Sequence, residues 1–369
     1  MKIGFDAKRI FNNFSGLGNY SREVLRLSID NSKISNIKLF NSKFNKDFNL
    51  ISHKKLEIIN PKFNFFNFFW RSFYLPFLIK KNDLDIYHGL SNEIPFFIKK
   101  SKTKYIVTIH DLIFLKYHKD YNFIDRLIYK FKTKISCKNA DLIIAISKKT
   151  KADLVLYYNI KPSKIKIIYQ TCDPIFKKKF EFQYINNIIR KYDLPIKFLL
   201  YVGKISERKN LITVIKSIIK LKNEKLVIIG QSNKKYLKKC MKLIEEKKLT
   251  NRIKFLNVKS KKELAVIYQL SKVLIYVSYF EGFGLPIIEG INSKIPIIAS
   301  NTDEIKEAGG KSIFYVDPDS VDEIRDKIKY INDNPILIQN QINCSTNFIK
   351  KFSKEIIQNQ IYNTYKSLL

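Results

Sequence analysis

The sequence predicts an α/β protein of two domains, each a parallel sheet covered by helices, and three features carry that prediction. Short β-branched runs alternate with longer amphipathic stretches, as they do when crossover helices join parallel strands. A chain of 369 residues is long for one domain and ordinary for two. The alternation lapses in the charged, irregular stretch 171–195 and restarts at Phe198.

Taken in order, the first half should hold strands at Lys2–Phe5, Ile37–Phe40, Leu56–Ile59, Ile86–His88, Tyr105–Ile109, Leu142–Ala145 and Ile165–Ile168. The second half should hold them at Phe198–Val202, Leu226–Ile229, Ile253–Phe255, Val273–Val277, Ile297–Ala299 and Phe314–Val316. Each run is mostly apolar and too short for a helix, which suits a strand covered on both faces. The expected domains are 1–170 and 196–352, with 171–195 as hinge. They should face each other across a cleft, with ligands at the C-terminal ends of the strands.

Composition narrows the class. The hydrophobic fraction of 45% is enough for a sizeable core. Lys2, Asp6, Lys8 and Arg9 interrupt any apolar leader, and the longest near-apolar stretch, Phe63 to Ile79, is broken by Asn64, Asn67, Arg71 and Ser72. A cytoplasmic protein is expected. Cys137, Cys172, Cys240 and Cys344 are far apart and show no C-x-x-C spacing, so neither a disulfide framework nor a structural metal is expected.

The net charge of +35 raises three anionic partners: nucleic acid, a membrane surface or an acidic polymer. Only 9 of the 68 basic residues are Arg, and Asn and Ile are abundant too, as an AT-rich coding sequence would produce. No zinc finger, recognition motif or Arg-rich arm supports a specific nucleic-acid role. Each Lys or Arg near an anionic leaflet contributes on the order of 1 kcal/mol, so peripheral contact with the inner membrane surface is the expectation.

The most informative segment is Tyr279-Phe280-Glu281-Gly282-Phe283-Gly284-Leu285-Pro286-Ile287-Ile288-Glu289-Gly290. A strand precedes it, and Pro286 is suited to open a helix, because the first helical position needs no backbone donor. Strand, glycine loop and helix start together form an anion cradle of N–H groups. Gly282 and Gly284 let a phosphate approach the backbone. Glu281 should lie at the strand end and Glu289 in the first helical turn. One carboxylate can accept from a ribose diol and the other from a sugar ring, the outline of a nucleotide-sugar site.

Other strand ends are polar too. Ser15-Gly16-Leu17-Gly18-Asn19-Tyr20 lacks the third glycine and the acidic partner of a dinucleotide fingerprint. Tyr201-Val202-Gly203-Lys204-Ile205-Ser206-Glu207-Arg208-Lys209 brings a planar fork and a point charge that can neutralise a leaving diphosphate. Val107-Thr108-Ile109-His110-Asp111 offers a histidine whose competing reading is structural, with Asp111 assigned to the following loop. The run His88-Gly89-Leu90-Ser91-Asn92-Glu93 is assigned to the acceptor side.

On these motifs the chain resembles, nearly end to end, the family 4 retaining glycosyltransferases. These are group 1 enzymes of bacterial polysaccharide and lipopolysaccharide synthesis, with the GT-B fold of two Rossmann-like domains. The resemblance implies that Gly16 and Gly18 touch the donor's diphosphate and sugar. It implies that Arg208 and Lys209 meet the leaving diphosphate, with Lys204 where many relatives carry Arg. Gly282, Phe283, Gly284 and Leu285 would cradle the donor, Glu289 hold its ribose and Glu281 its sugar, with His110 facing the transferred sugar. A helix at about 353–369 would return to the N-terminal domain. The implied donor is GDP- or UDP-linked, with mannose the leading sugar, the acceptor a glycan or lipid-linked glycan, and no metal is required. Relatives carry Asn-Gly-Val-Asp at the hinge where this chain has Gln170-Thr171-Cys172-Asp173.

Two other classes stand as alternatives: a nucleotide-sugar epimerase of the same fold, and a catalytically dead basic protein that binds membrane or nucleic acid. Asp83-Leu84-Asp85 and Asp317-Pro318-Asp319 have the D-x-D form of a metal motif, but the first precedes a strand and Pro318 makes the second a turn.

Overall fold

Strands form at every position the apolar runs predict, with ends moved by no more than one residue. The structure, a computed structural model, describes residues 1–13, 16–41, 53–60, 70–98, 102–117 and 121–369. In chain order the strands are β1 (Lys2–Asp6), β2 (Asn36–Phe40), β3 (Leu56–Ile59), β4 (Ile86–Gly89), β5 (Lys104–Ile109), β6 (Leu142–Ala145) and β7 (Ile165–Ile167). They continue as β8 (Leu199–Val202), β9 (Leu226–Ile229), β10 (Ile253–Leu256), β11 (Val273–Tyr276), β12 (Ile297–Ser300) and β13 (Phe314–Val316).

They build two sheets, in the orders β3-β2-β1-β4-β5-β6-β7 and β10-β9-β8-β11-β12-β13, and the pairings are parallel. Every residue of β4, β9, β11 and β12 is buried, which is why these runs carry no alternation in the sequence. The strand order reverses beside β1 in the first sheet and beside β8 in the second. At such a reversal the connections leave on opposite faces, and a crevice opens at the strands' C-terminal ends.

The chain divides into two compact units, Met1–Thr171 with Phe352–Leu369, and Cys172–Lys351. Unit 1 recruits the C-terminal helix Lys354–Lys366 through specific bonds. Lys354 pairs with Asp30 at 2.7 Å, Gln358 Nε2 donates to Leu27 O at 2.8 Å, and the buried Tyr365 hydroxyl lies 2.8 Å from His88 Nδ1.

Part of the stretch 171–195 is ordered where the sequence reads as irregular. Asp173 caps a 3-10 turn, Pro174–Lys177, accepting from Ile175 N at 3.1 Å, and helix Phe182–Tyr192 follows. Its inward positions Tyr184, Ile185, Ile188 and Ile189 have helical spacing, but the charged and amide residues around them hide the period. In the Phe63 to Ile79 stretch, 61–69 lie outside the described residues, and from Trp70 the chain forms a π-turn and helix Leu75–Lys81. Among the described residues no helix is long and apolar enough to cross a membrane.

Candidate active site

The strand order of unit 2 reverses between β8 and β11, and the loops leaving those two strands carry the candidate residues. Beyond β8 the chain passes Gly203 into the 3-10 turn Glu207–Lys209. Asn210 ends that turn in left-handed backbone, φ 57°, a conformation Asn tolerates better than most residues, and its Nδ2 donates to Pro318 O at 2.6 Å. Tyr201 Oη donates to Lys209 O at 3.1 Å, and Tyr279 N donates to Arg208 O at 2.9 Å. The two cations therefore sit on a backbone tied to the ends of both strands.

Both cations converge on one carboxylate. Arg208 Nη1 donates to Glu281 Oε1 at 2.9 Å and also to Phe280 O. Lys209 Nζ stands 2.5 Å from the same Oε1 and donates to Tyr276 Oη at 2.9 Å. Lys209 is 9% exposed and Glu281 8%, so these pairs act at a lower effective dielectric than surface pairs do. Burial alone would raise the Glu281 carboxyl, but the Lys209 and Arg208 charges overcome it and hold the group at about 2. Glu281 sits in the loop beyond β11 rather than at the strand end, and its N–H donates to Glu304 Oε1 at 3.0 Å.

Gly284 then caps helix Leu285–Asn292 with φ 117°, which glycine adopts without the clash a Cβ would bring. The N–H groups of Gly282, Gly284 and Leu285 have no protein acceptor among the described residues. Phe283 is 2% exposed, so it offers backbone rather than its ring. Because the helix begins at Leu285, Glu289 falls in its second turn, not the first. Burial pushes the Glu289 carboxyl up to about 7, against the hydrogen bond that Tyr268 Oη donates to it at 2.9 Å. The two glutamates thus differ: Glu281 is ionised across the physiological range, and Glu289 is near its midpoint. Lys204 is exposed and forms no ion pair among the described residues, so the structure does not bring it to this cluster.

In unit 1, Gly16 and Gly18 lie in the first turn of helix Gly16–Ile29 rather than in a loop, and Ser15 is outside the described residues. A Cβ on Gly18 would stand 1.7 Å from Asn13 O, so glycine is what permits the close approach, whereas one on Gly16 would meet nothing within 4 Å. Asn13 Oδ1 accepts from Gly18 N at 3.2 Å. His110, beyond β5, is 4% exposed; its Nε2 donates to Leu90 O at 2.9 Å, leaving Nδ1 to accept from Gln170 Nε2 at 3.4 Å. Burial lowers it to about 4, so it is a neutral, oriented imidazole.

His88, assigned from sequence to the acceptor side, is fully buried instead. Its Nδ1 meets Tyr365 Oη and its Nε2 meets Thr108 Oγ1, both at 2.8 Å, and Thr108 Oγ1 meets Tyr20 Oη at 3.0 Å. The reason is topological: β4 lies between β1 and β5, with every residue covered. The D-x-D pairs are otherwise engaged. Asp83 pairs with Lys102 at 2.9 Å, Asp85 Oδ2 accepts from Lys2 N at 2.7 Å, and Asp317 Oδ1 accepts from Asp319 N at 2.9 Å.

Sequence reasoning overlooked Tyr201, Tyr276, Tyr268 and Glu304. A tyrosine in a core strand is a usable signal, since its hydroxyl needs a partner when buried. Glu304 carries no local signal: it meets the Glu281 N–H across 23 residues of chain.

Comparison with known proteins bears on the family and the fold. The family model for group 1 glycosyl transferases matches residues 187–348, and that for glycosyltransferase family 4 matches 42–175. O-antigen chain mannosyltransferase B of Escherichia coli is 25% identical over 350 residues, covering 88% of each chain. The O-antigen chain mannosyltransferase RfbU of Salmonella typhimurium is 27% identical over 229 residues, 62% of this chain and 61% of its own length. Among solved structures, HepE of Anabaena in complex with UDP-glucose shares the fold, with a TM-score of 0.77 at 16% identity over 100% of both chains. The chain belongs to the group 1, family 4 glycosyltransferases of GT-B fold.

Proposed function

We propose that this glycosyltransferase moves a sugar, mannose in the leading assignment, from a GDP- or UDP-linked donor to a hydroxyl of a glycan or lipid-linked glycan in cell-surface polysaccharide synthesis. The observation that carries the donor site is the convergence of Arg208, Lys209 and Glu281 at the strand-order reversal of unit 2, beside a helix start with open N–H groups. Two mannosyltransferase relatives support the sugar, and the matches offer nothing in favour of the epimerase.

In the proposed reaction the bond from the anomeric carbon to the diphosphate oxygen breaks as the acceptor oxygen bonds to that carbon. The acceptor proton passes to the departing phosphate oxygen on the same face, giving retention. Arg208, Lys209 and the N–H groups of Gly282 to Leu285 take the charge developing on the diphosphate. Glu289 holds the ribose, and Glu281 grips the donor sugar. From unit 1, the turn at Gly16 and Gly18 is assigned to the donor and His110 to the transferred sugar. Lys204 remains a candidate for the outer phosphate. Arg208→Ala should lower turnover by roughly 10²-fold or more, as loss of one transition-state donor does, and a near-normal rate would remove it from the site. With side-chain cations carrying the charge, transfer should persist in a chelator.

We further propose peripheral contact with an anionic membrane, at the cytoplasmic face, through helix Phe123–Asn139. Its inward face is made of the buried Thr133, Ser136 and Cys137, while Phe123, Ile124, Leu127, Ile128 and Phe131 are exposed. Lys130, Lys134 and Lys138 are exposed on the same helix. Apolar residues outward with lysines beside them suit an interfacial helix. The chain should co-sediment with phosphatidylglycerol vesicles and not with neutral ones, and a Phe123→Ser/Leu127→Ser/Phe131→Ser variant should remain in the supernatant. Equal sedimentation of both proteins would sink this contact.

A further inference from the structure

Glu304 is an anomaly among the buried acids. Asp6, Asp153, Glu224 and Glu281 each pair with a Lys or Arg, and Glu304, 2% exposed, has no cation partner among the described residues. A buried carboxylate without a counter-charge is costly, so its retention calls for a hydrogen-bonding task. That task is visible: Oε1 accepts the backbone N–H of Glu281 at 3.0 Å. The helix that carries it, Asp303–Gly309, packs on the same loop, for a Cβ added to Gly284 would stand 3.3 Å from Ile305 Cδ1 and 3.4 Å from Ala308 Cβ.

The bond lies at a telling point. Glu281 is the residue on which Arg208 and Lys209 converge, and its side-chain direction depends on how its peptide plane is set. Holding the N–H fixes that plane, as the bonds from Tyr201 and Tyr279 fix the backbone of the two cations. The open N–H groups of Gly282, Gly284 and Leu285 follow in the same loop, so the same tether sets the cradle. Given the donor-site reading of Arg208, Lys209 and Glu281, on which this role rests, we propose that Glu304 is a positioning residue for transfer: it fastens the Glu281 peptide and thereby the carboxylate and the adjoining N–H cradle.

Two substitutions separate positioning from packing. Glu304→Gln keeps an acceptor oxygen, and Glu304→Leu removes it at similar volume; should the Leu variant not fold, Glu304→Ser carries the same expectation. In the full chain, Glu304→Leu should lower kcat by roughly tenfold or more with little change in donor KM, since misplacement costs rate, while Glu304→Gln should stay within about threefold of wild type. Hydrogen exchange over 277–285 should speed up in the Leu variant and not in the Gln variant. In a Glu281→Gln background, Glu304→Leu should add little further loss of rate. Unchanged exchange, equal rates for Leu and Gln, or a full additional loss in the double variant would each overturn the role. If Glu281→Gln alone transfers at the wild-type rate, the positioning role falls too. A surviving exchange difference would then mark the donor-site reading, and not the tether, as the part that failed.

Discussion

Replacing Glu281 by Gln separates two things the site does with one carboxylate, and the expected effects have opposite signs. The variant keeps the shape and removes the charge on which Arg208 and Lys209 converge. The Glu281 carboxyl lies at about 2 against an ordinary 4.5, and at 1.36 kcal/mol per tenfold its ionised form is favoured in place by roughly 3 kcal/mol. That agrees with the roughly 3–5 kcal/mol lost when one member of a buried pair is removed. For a unit the size of Cys172–Lys351, the melting temperature should fall by roughly 6–12 °C. The sign in pH is fixed as well. Because the folded value is depressed, this stability is fully present above about 4.5 and is lost as pH falls through about 2, so the variant should lose the part of acid sensitivity that wild type shows there.

Binding should move the other way. In wild type a diphosphate competes with Glu281 for the two cations; in Glu281→Gln it meets them uncompensated. A bare nucleoside diphosphate should therefore bind the variant more tightly, by about tenfold and at most about 150-fold, the latter being the whole 3 kcal/mol. Transfer should fall, since the donor sugar has lost its carboxylate. Calorimetry of GDP and UDP against both proteins, with thermal unfolding and a transfer assay, reads all three quantities. Weaker diphosphate binding in the variant, or a stability loss below about 1 kcal/mol, would refute the shared use of one carboxylate by cations and donor.

The remaining predictions concern Glu289 and the C-terminal helix. As an acceptor for a ribose diol, Glu289 should bind donor best when ionised, so donor affinity should rise about tenfold from pH 6 to 8 with a midpoint near 7, and this rise should vanish in Glu289→Gln. Stability should run the opposite way, because a carboxyl raised from 4.5 to about 7 contributes stability fully present below 4.5 and lost as pH rises through 7. Tyr365→Phe strips His88 Nδ1 of its partner inside unit 1 and should cost about 1–3 kcal/mol, read by denaturant unfolding, with faster exchange in Lys354–Lys366.

Why Glu281 could be found in the sequence while its partners could not follows from what local pattern encodes. A parallel strand buried on both faces is apolar along most of its length, so β9 and β11 announce themselves, and the loops after such strands can be searched for polar residues. Sheet order is different in kind. That β8 lies beside β11 is a fact about the neighbours of a strand, not about its composition, and it alone joins Arg208 to Glu281 across 73 residues. Helix Phe182–Tyr192 fails to show for the converse reason: a surface helix needs few buried residues, and Ile188 is the one fully covered. A single residue of uncertainty at a helix start is harmless to the fold, yet it decides whether Glu289 falls in the first turn or the second. Chemistry at the reversal of strand order is thus divided in legibility. Residue types and loop positions are local, and each pairing that tunes them, Lys209 with Glu281, Tyr268 with Glu289 or Glu304 with the Glu281 N–H, exists only once the sheet has chosen its order.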